Sequence, residues 1–147
     1  LLYLALLESL RDELLAAGAA RFAAAKSVEV GLAEAIATFV AFVDARPEAA
    51  RLLFQSPVGE GPRVDAARRI QAEASAALAA TLATRLSAAA PLQHLIAVEF
   101  IKAGLHAVAL WWTDHPEVAA SDLSATLATL GWSGVSGLLT ADEGFTR

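Results

Sequence analysis

An all-α bundle of about six helices, whose last two could either build a four-helix interface in a dimer or pack within one subunit, is the architecture this chain's pattern calls for. Three observations lead there. Apolar residues recur at helical spacing and nowhere alternate as a half-buried strand would require. Proline, glycine and short polar runs interrupt the chain at intervals that suit helices. At 147 residues, 56% hydrophobic and 18% charged, the chain is long enough to bury a core and too apolar to stay disordered. No internal repeat or long linker divides it, so residues 1–147 read as one domain.

The first helix is expected from Leu2 to about Ala24, with Tyr3, Leu7, Leu10, Leu14 and Phe22 on one broad face and Arg11, Asp12 and Glu13 off it. A second begins near Val28 and repeats Leu32, Ile36, Phe39, Val40 and Val43 at helical spacing. Pro47 cannot continue that helix but suits the first turn of a short new one, PEAARLLF. The composition of SPVGEGP, Ser56 to Pro62, is that of a loop. A long helix from about Arg63 to Leu86 follows, with a stripe of Val64, Ala67, Ala74, Leu78 and Leu82, while Asp65, Arg69 and Glu73 face elsewhere. Pro91 opens the next helix, which runs to about Trp112, and DHPE at 114–117 ends it. Ser121 is the expected N-cap of the last helix, with Asp122 at its positive end.

Charge and composition narrow the function. The net charge of −5 speaks against this stretch holding a phosphate backbone, which takes clustered Lys and Arg. The absence of cysteine excludes disulfides and thiolate metal sites and fits a reducing cytoplasm. No methionine is present and the chain opens inside an apolar helical pattern, so a preceding N-terminal part is expected. The most membrane-like window, His94 to Trp112, carries His94, Glu99, Lys102 and His106, too many ionisable groups for a span; the opening LLYLALL is too short and too soon charged for a signal peptide.

Glycine raises the sharpest question. LATLGWSGVSGLL places Gly131, Gly134 and Gly137 inside the last helix, where each costs roughly 1 kcal/mol relative to alanine. At 100° per residue the three fall within an arc of roughly 120°, with Leu123, Leu127, Leu130 and Leu138 on the same side. They flatten an apolar face, which lets another helix approach closely. Gly104 does the same on the preceding helix, beside Ala97, Phe100, Ile101, Val108 and Trp111. Two such faces fit either a twofold dimer or packing within one subunit. Trp111, Trp112 and Trp132 are expected at this seam more than against a ligand.

Catalytic and metal signals are weak. Glu99, Lys102, His106 and Thr113 share one stripe within roughly 60°, which could support acid–base chemistry, but an ordinary solvated or interface stripe, or the polar edge of a pocket, looks the same. His94, His106 and His115 lack the pairing of a helical zinc site, and no cofactor motif is found. An apolar pocket between helices is the stronger idea. Gln71 and Ser75 lie within or beside the apolar stripe and need partners, from a ligand, water or solvent at the stripe's edge; Phe39, Phe42 and Phe54, with Phe100 across from them, are candidate lining. Ala74, Ala77 and Ala103 leave space near Leu78, and the few polar groups lean toward a hydrophobic effector.

ALWWTDHPEVAASDLSATLATLGWSGVSGLL, Ala109 to Leu139, resembles the last two helices of TetR-family transcriptional regulators. FVAFVDARPEAARLLF, Phe39 to Phe54, resembles that family's helix–proline–short helix segment, and LLYLALLESLRDELL the helix that leaves its DNA-binding domain. The resemblance implies a cytoplasmic homodimer joined through the last two helices and a small-molecule effector among the preceding ones. DNA contact is implied only for the parent protein, since the family's helix-turn-helix is not in this sequence. A small all-α enzyme using Glu99, Lys102 and His106, or a purely structural dimer module, are the rival readings.

Overall fold

The structure, a computed structural model, describes residues 2–85 and 91–144. Six helices follow in order: α1 (Leu2–Ala24), α2 (Val28–Ala45), α3 (Pro47–Phe54), α4 (Pro62–Ala83), α5 (Pro91–Thr113) and α6 (Ala120–Gly144), with no strand among the described residues. The all-α bundle read from the sequence is the observed fold. The expected end of the fourth helix at Leu86 lies outside the described residues.

Local chemistry sets the boundaries. Ser27, in extended conformation, accepts a hydrogen bond from the Val30 amide at 3.2 Å, filling one of the donors left over at the start of α2. Pro47 and Pro62 occupy the first turns of α3 and α4, where a missing N–H costs nothing. Gly61 precedes α4 at φ 117°, a backbone that a side chain would strain. At α6 the sequence expectation is corrected: the helix begins at Ala120 and the Leu123 amide bonds to Ala119 O at 3.1 Å, so Ser121 falls within the first turn instead of capping it. Asp122 keeps its place near the positive end.

α2 lies at the centre of the packing. It buries Leu32, Ile36, Phe39, Val40, Phe42 and Val43, with α1 and α6 both packed on it. Complete burial of an aliphatic side chain such as Val43 or Ile36 is worth roughly 1.5–3 kcal/mol. α4 rests on α1 and α5, and α3 bridges α2 to α5. The face that α4 buries is Ala66, Ile70, Ser75, Ala79 and Leu82. Val64, Ala67 and Ala74 are only half-buried and Leu78 is exposed, so the buried face is rotated from the stripe expected.

The α1–α2 junction is the tightest approach. A Cβ on Gly31 would stand 3.0 Å from the Phe22 ring, 3.2 Å from Ala25 Cβ and 3.2 Å from Phe22 O. Arg85 secures the same corner, its Nη1 donating to Phe22 O at 3.1 Å, which also accepts from the Ala25 amide, and to Ala25 O at 3.0 Å. Gly131 differs: a Cβ there meets only the mobile ends of Ile36 and Leu32, both at 3.3 Å.

Gly31→Ala is expected to lower stability by about 1–2 kcal/mol, because overpacking against backbone exceeds the gain in helix propensity. Gly131→Ala, with flexible neighbours, should change stability by less than about 1 kcal/mol. Chemical unfolding of the two variants checks the contrast.

Candidate functional site

Between α1, α2, α4 and α5, closed at one end by α3, lies a cavity of about 200 Å³. Its wall is overwhelmingly apolar. α1 supplies Leu14, Leu15, Gly18 and Phe22; α2 supplies Leu32, Ile36 and Phe39; α3 supplies Leu53 and Phe54. α4 adds Ile70, Ala74, Leu78 and Leu82, and α5 adds Val98, Ile101 and Leu105. Small residues make the room. Ala19, Ala35 and Ala74 line the space where larger side chains would have closed it.

Five polar side chains also reach the wall: Arg11, Gln71, Thr81, Lys102 and His106. Lys102 is the pivotal one. Its side chain is only 13% exposed, and its ammonium donates to Gln71 O at 3.2 Å and to the Ser75 hydroxyl, with Glu99 Oε1 at 3.6 Å. Two of the ammonium protons are thus hydrogen-bonded to α4, and the charge is paired with the Glu99 carboxylate. The single Ser75 hydroxyl proton lies between Gln71 O, at 3.2 Å, and the Glu99 carboxylate. α5 therefore supplies a partner for the Ser75 hydroxyl through Lys102, whereas among the described residues the Gln71 side chain is bonded only through Nε2, to Gln55 O at 3.5 Å. Glu99 is held below the ordinary carboxylate range, first by its hydrogen bond with Ser75 and also by the Lys102 charge.

His106 lies one turn further along α5. Its ring stacks on Phe54 with centroids 4.5 Å apart and lies 6.5 Å from Phe39. Burial among these rings, and then the nearby Lys102 ammonium, push its pKa down to about 4, against a weaker upward pull from Glu99. The imidazole is neutral at physiological pH.

The candidate lining residues divide. Phe39, Phe54, Gln71, Ala74 and Leu78 line the cavity. Ser75 stands just behind the wall as a partner of Lys102, and Phe42 backs Phe54 at 6.3 Å without reaching the space. Phe100 is a correction: at 79% exposure it points out of the bundle, away from the other phenylalanines. Arg11 is another, turned into the cavity wall with a side chain only 15% exposed. The stripe of Glu99, Lys102 and His106 is no uniformly solvated row, since Lys102 and His106 face inward while Glu99 is 58% exposed.

The helical faces expected at a subunit seam also divide. On α6, Leu123, Leu127 and Val135 are buried in the chain's own core, Gly131 meets α2, and Leu138 packs at the core's edge. Leu130, Gly134 and Gly137 are exposed, and the two glycines have nothing within 4 Å of a Cβ position. On α5, Ala97 is buried and Ile101 and Val108 pack against the core, whereas Gly104 and Trp111 join Phe100 outside. Leu92, Ile96, Phe100, Ala103, Gly104, Ala107 and Trp111 form one exposed apolar stripe spanning roughly 120° of the helix. Trp112 is internal, buried and donating from Nε1 to Val118 O at 2.9 Å; Trp132 is half-buried against the core. Trp111 stacks on His115, ring centroids 4.2 Å apart. By length and composition alone, α5 is also the one helix among the described residues apolar enough to cross a membrane.

No cluster of three or more metal-ligating side chains occurs among the described residues. No family model, curated protein or solved structure matches the chain.

The His106 environment has a consequence for stability. The unfolded chain takes up a proton near the ordinary value of 6.5, whereas the folded ring does so only near 4. As pH falls from 6.5 to 4, protonation therefore favours the unfolded state, by on the order of 3 kcal/mol at the lower limit. His106→Phe should remove that component, giving a flatter dependence of unfolding free energy on pH across this window than the parent chain shows.

Proposed function

We propose that this chain is the effector-binding and dimerisation domain of a TetR-like transcriptional regulator. The observation that supports it most is the two-sidedness of α5: one face walls an apolar cavity and the opposite face is a bare apolar stripe. Contiguous exposed apolar surface on a globular chain marks an interaction site. The exposed part of α6, Leu130, Gly134 and Gly137, is flat enough for a helix from a second copy to approach closely. In a twofold pair the two α5 and two α6 helices would form a four-helix interface.

The cavity is the effector site in this reading. α1 carries the response, because it lines the cavity from Arg11 to Phe22 and is the helix that would lead to a DNA-binding domain in such a regulator. An occupant that fits one setting of α1 better than another shifts the balance between two subunit spacings, by no more than its difference in affinity for them. DNA contact belongs to that other domain of the parent protein, consistent with the acidic balance of this chain.

The competing assignment of Glu99, Lys102 and His106 as an enzyme's acid–base set is less well supported. Lys102 is held by two hydrogen bonds to α4 and an ion pair with Glu99, and an imidazole with a pKa of about 4 is a weak base at neutral pH.

Equilibrium sedimentation across a concentration series tests the dimer. The parent chain is expected at twice its monomer mass, and Phe100→Asp, which places a carboxylate on the bare stripe, at the monomer mass with unchanged helix content. A parent chain that stays monomeric at the highest concentration would overturn the proposal.

A further inference from the structure

The polar groups of the cavity wall differ in whether they have hydrogen-bonding capacity left. Arg11 is paired to Asp12 and Glu73, each at 2.8 Å. Lys102 donates twice to α4 and is paired with Glu99. Gln71 Nε2 donates to Gln55 O at 3.5 Å, and the Thr81 hydroxyl to Ala77 O at 3.0 Å. His106 alone in this set makes no hydrogen bond among the described residues, its contacts being the Phe39 and Phe54 rings. No buried side-chain nitrogen or oxygen among the described residues lacks a partner, so the imidazole nitrogens are not sealed in but face open space.

Charge complementarity follows from the same pairings. Both cations in the wall already have carboxylates beside them, and a second anion would have to compete with Glu99 or Glu73 for them. A cation would find no unpaired carboxylate there. A charged ligand would be stripped of water with no counter-charge waiting, which costs several kcal/mol. The volume of about 200 Å³ is below the roughly 300–1,000 Å³ of pockets that take drug-sized molecules.

We infer that the cavity selects a small neutral amphiphile, an apolar body carrying one hydroxyl or carbonyl oxygen that hydrogen-bonds to the imidazole of His106. This rests on the reading of the cavity as a binding site and specifies its ligand class. The neutral ring can meet either oxygen: its N–H donates to a carbonyl, and its bare nitrogen accepts from a hydroxyl. Phe39 of α2 and Phe54 of α3 flank the ring, Glu99 and Lys102 are the charges on its own helix, and Arg11 of α1 faces the same space. Gln71, bonded once through Nε2, is the other neutral polar group on this wall, and Arg11 directs its charge to Asp12 and Glu73.

Calorimetric titration of the parent chain with octanol, octanoate and nonane at neutral pH tests this. Octanol should bind at least tenfold more tightly than octanoate, and its binding should shift the His106 ring nitrogen resonances. His106→Leu should weaken octanol by a factor of roughly 2 to 13, the range of one net hydrogen bond, while leaving nonane unchanged or tighter. If octanoate equals or exceeds octanol, the neutral-ligand inference fails while the cavity remains a binding site. Octanol that binds without moving the His106 resonances removes the imidazole from recognition, and the parent-chain titration decides this even if the variant does not fold. If none of the three binds, the inference and the binding-site reading fall together.

Discussion

A buried ammonium must have its protons taken, and in this chain the group is Lys102 of α5. Its partners are the Gln71 carbonyl and Ser75 hydroxyl of α4, with the Glu99 carboxylate at the rim. Withdrawing one partner from such a group costs more than the interaction contributes net, so α4 and α5 are held in one register at this point. The cavity wall depends on that register. It sets Ala74 and Leu78 of α4 opposite Ile101 and Leu105 of α5, keeps the positive charge spent, and lowers the basicity of His106 one turn away. Without Glu99, Gln71 and Ser75 around the amine, the same cavity would draw anions.

The bundle around this lock combines tight and loose packing. α1 and α2 meet closely at Gly31, where a methyl group would press on Phe22 and Ala25, and Arg85 closes the corner by donating to the carbonyls of Phe22 and Ala25. Further along the same two helices the packing opens where Ala19 and Ala35 stand. An element that both lines the space and is anchored at one end, as α1 is, can move with the occupant about a fixed corner.

Helix boundaries were legible because their signals are local. Pro47 and Pro91 each open a helix and the loop around Gly59 and Gly61 separates two, whereas the Ser27 cap of α2 did not stand out in the sequence and Ser121, expected to cap α6, lies within its first turn. The buried face of α2 was legible too, since bulky residues occupy one side of it. α4 was not: alanine is small and apolar on every side, so periodicity did not distinguish the face of Ala66, Ile70 and Ala79 from that of Val64, Ala67 and Ala74. α5 and α6 failed for a related reason. Phe100 and Ile101 are neighbours in a helix apolar over most of its circumference, yet one is fully outside and the other packs on the core. The same ambiguity merged Leu127 and Gly131, which serve α2, with Leu130 and Gly134, which face out. The site was half legible. Phe39, Phe54, Gln71, Ala74 and Leu78 could be picked from their helical positions, whereas the inward turn of Lys102 and His106 depends on partners about thirty or more residues away along the chain. Arg11 was missed because its partner Glu73 is equally remote.

The ionisation state of the His106 ring reports on burial, on the neighbouring ammonium and on the polarity of the cavity at once. It is read from the ring nitrogen shifts at a pH of about 5.5, between the folded value near 4 and the ordinary 6.5, with the resonance assigned by its loss in His106→Phe. Two well-separated nitrogen resonances, those of a neutral ring, are the expected result. A pair of nearly equal shifts, those of an imidazolium, would mean that the ring is solvated or faces an unpaired carboxylate, and the neutral apolar cavity described for this chain would be wrong.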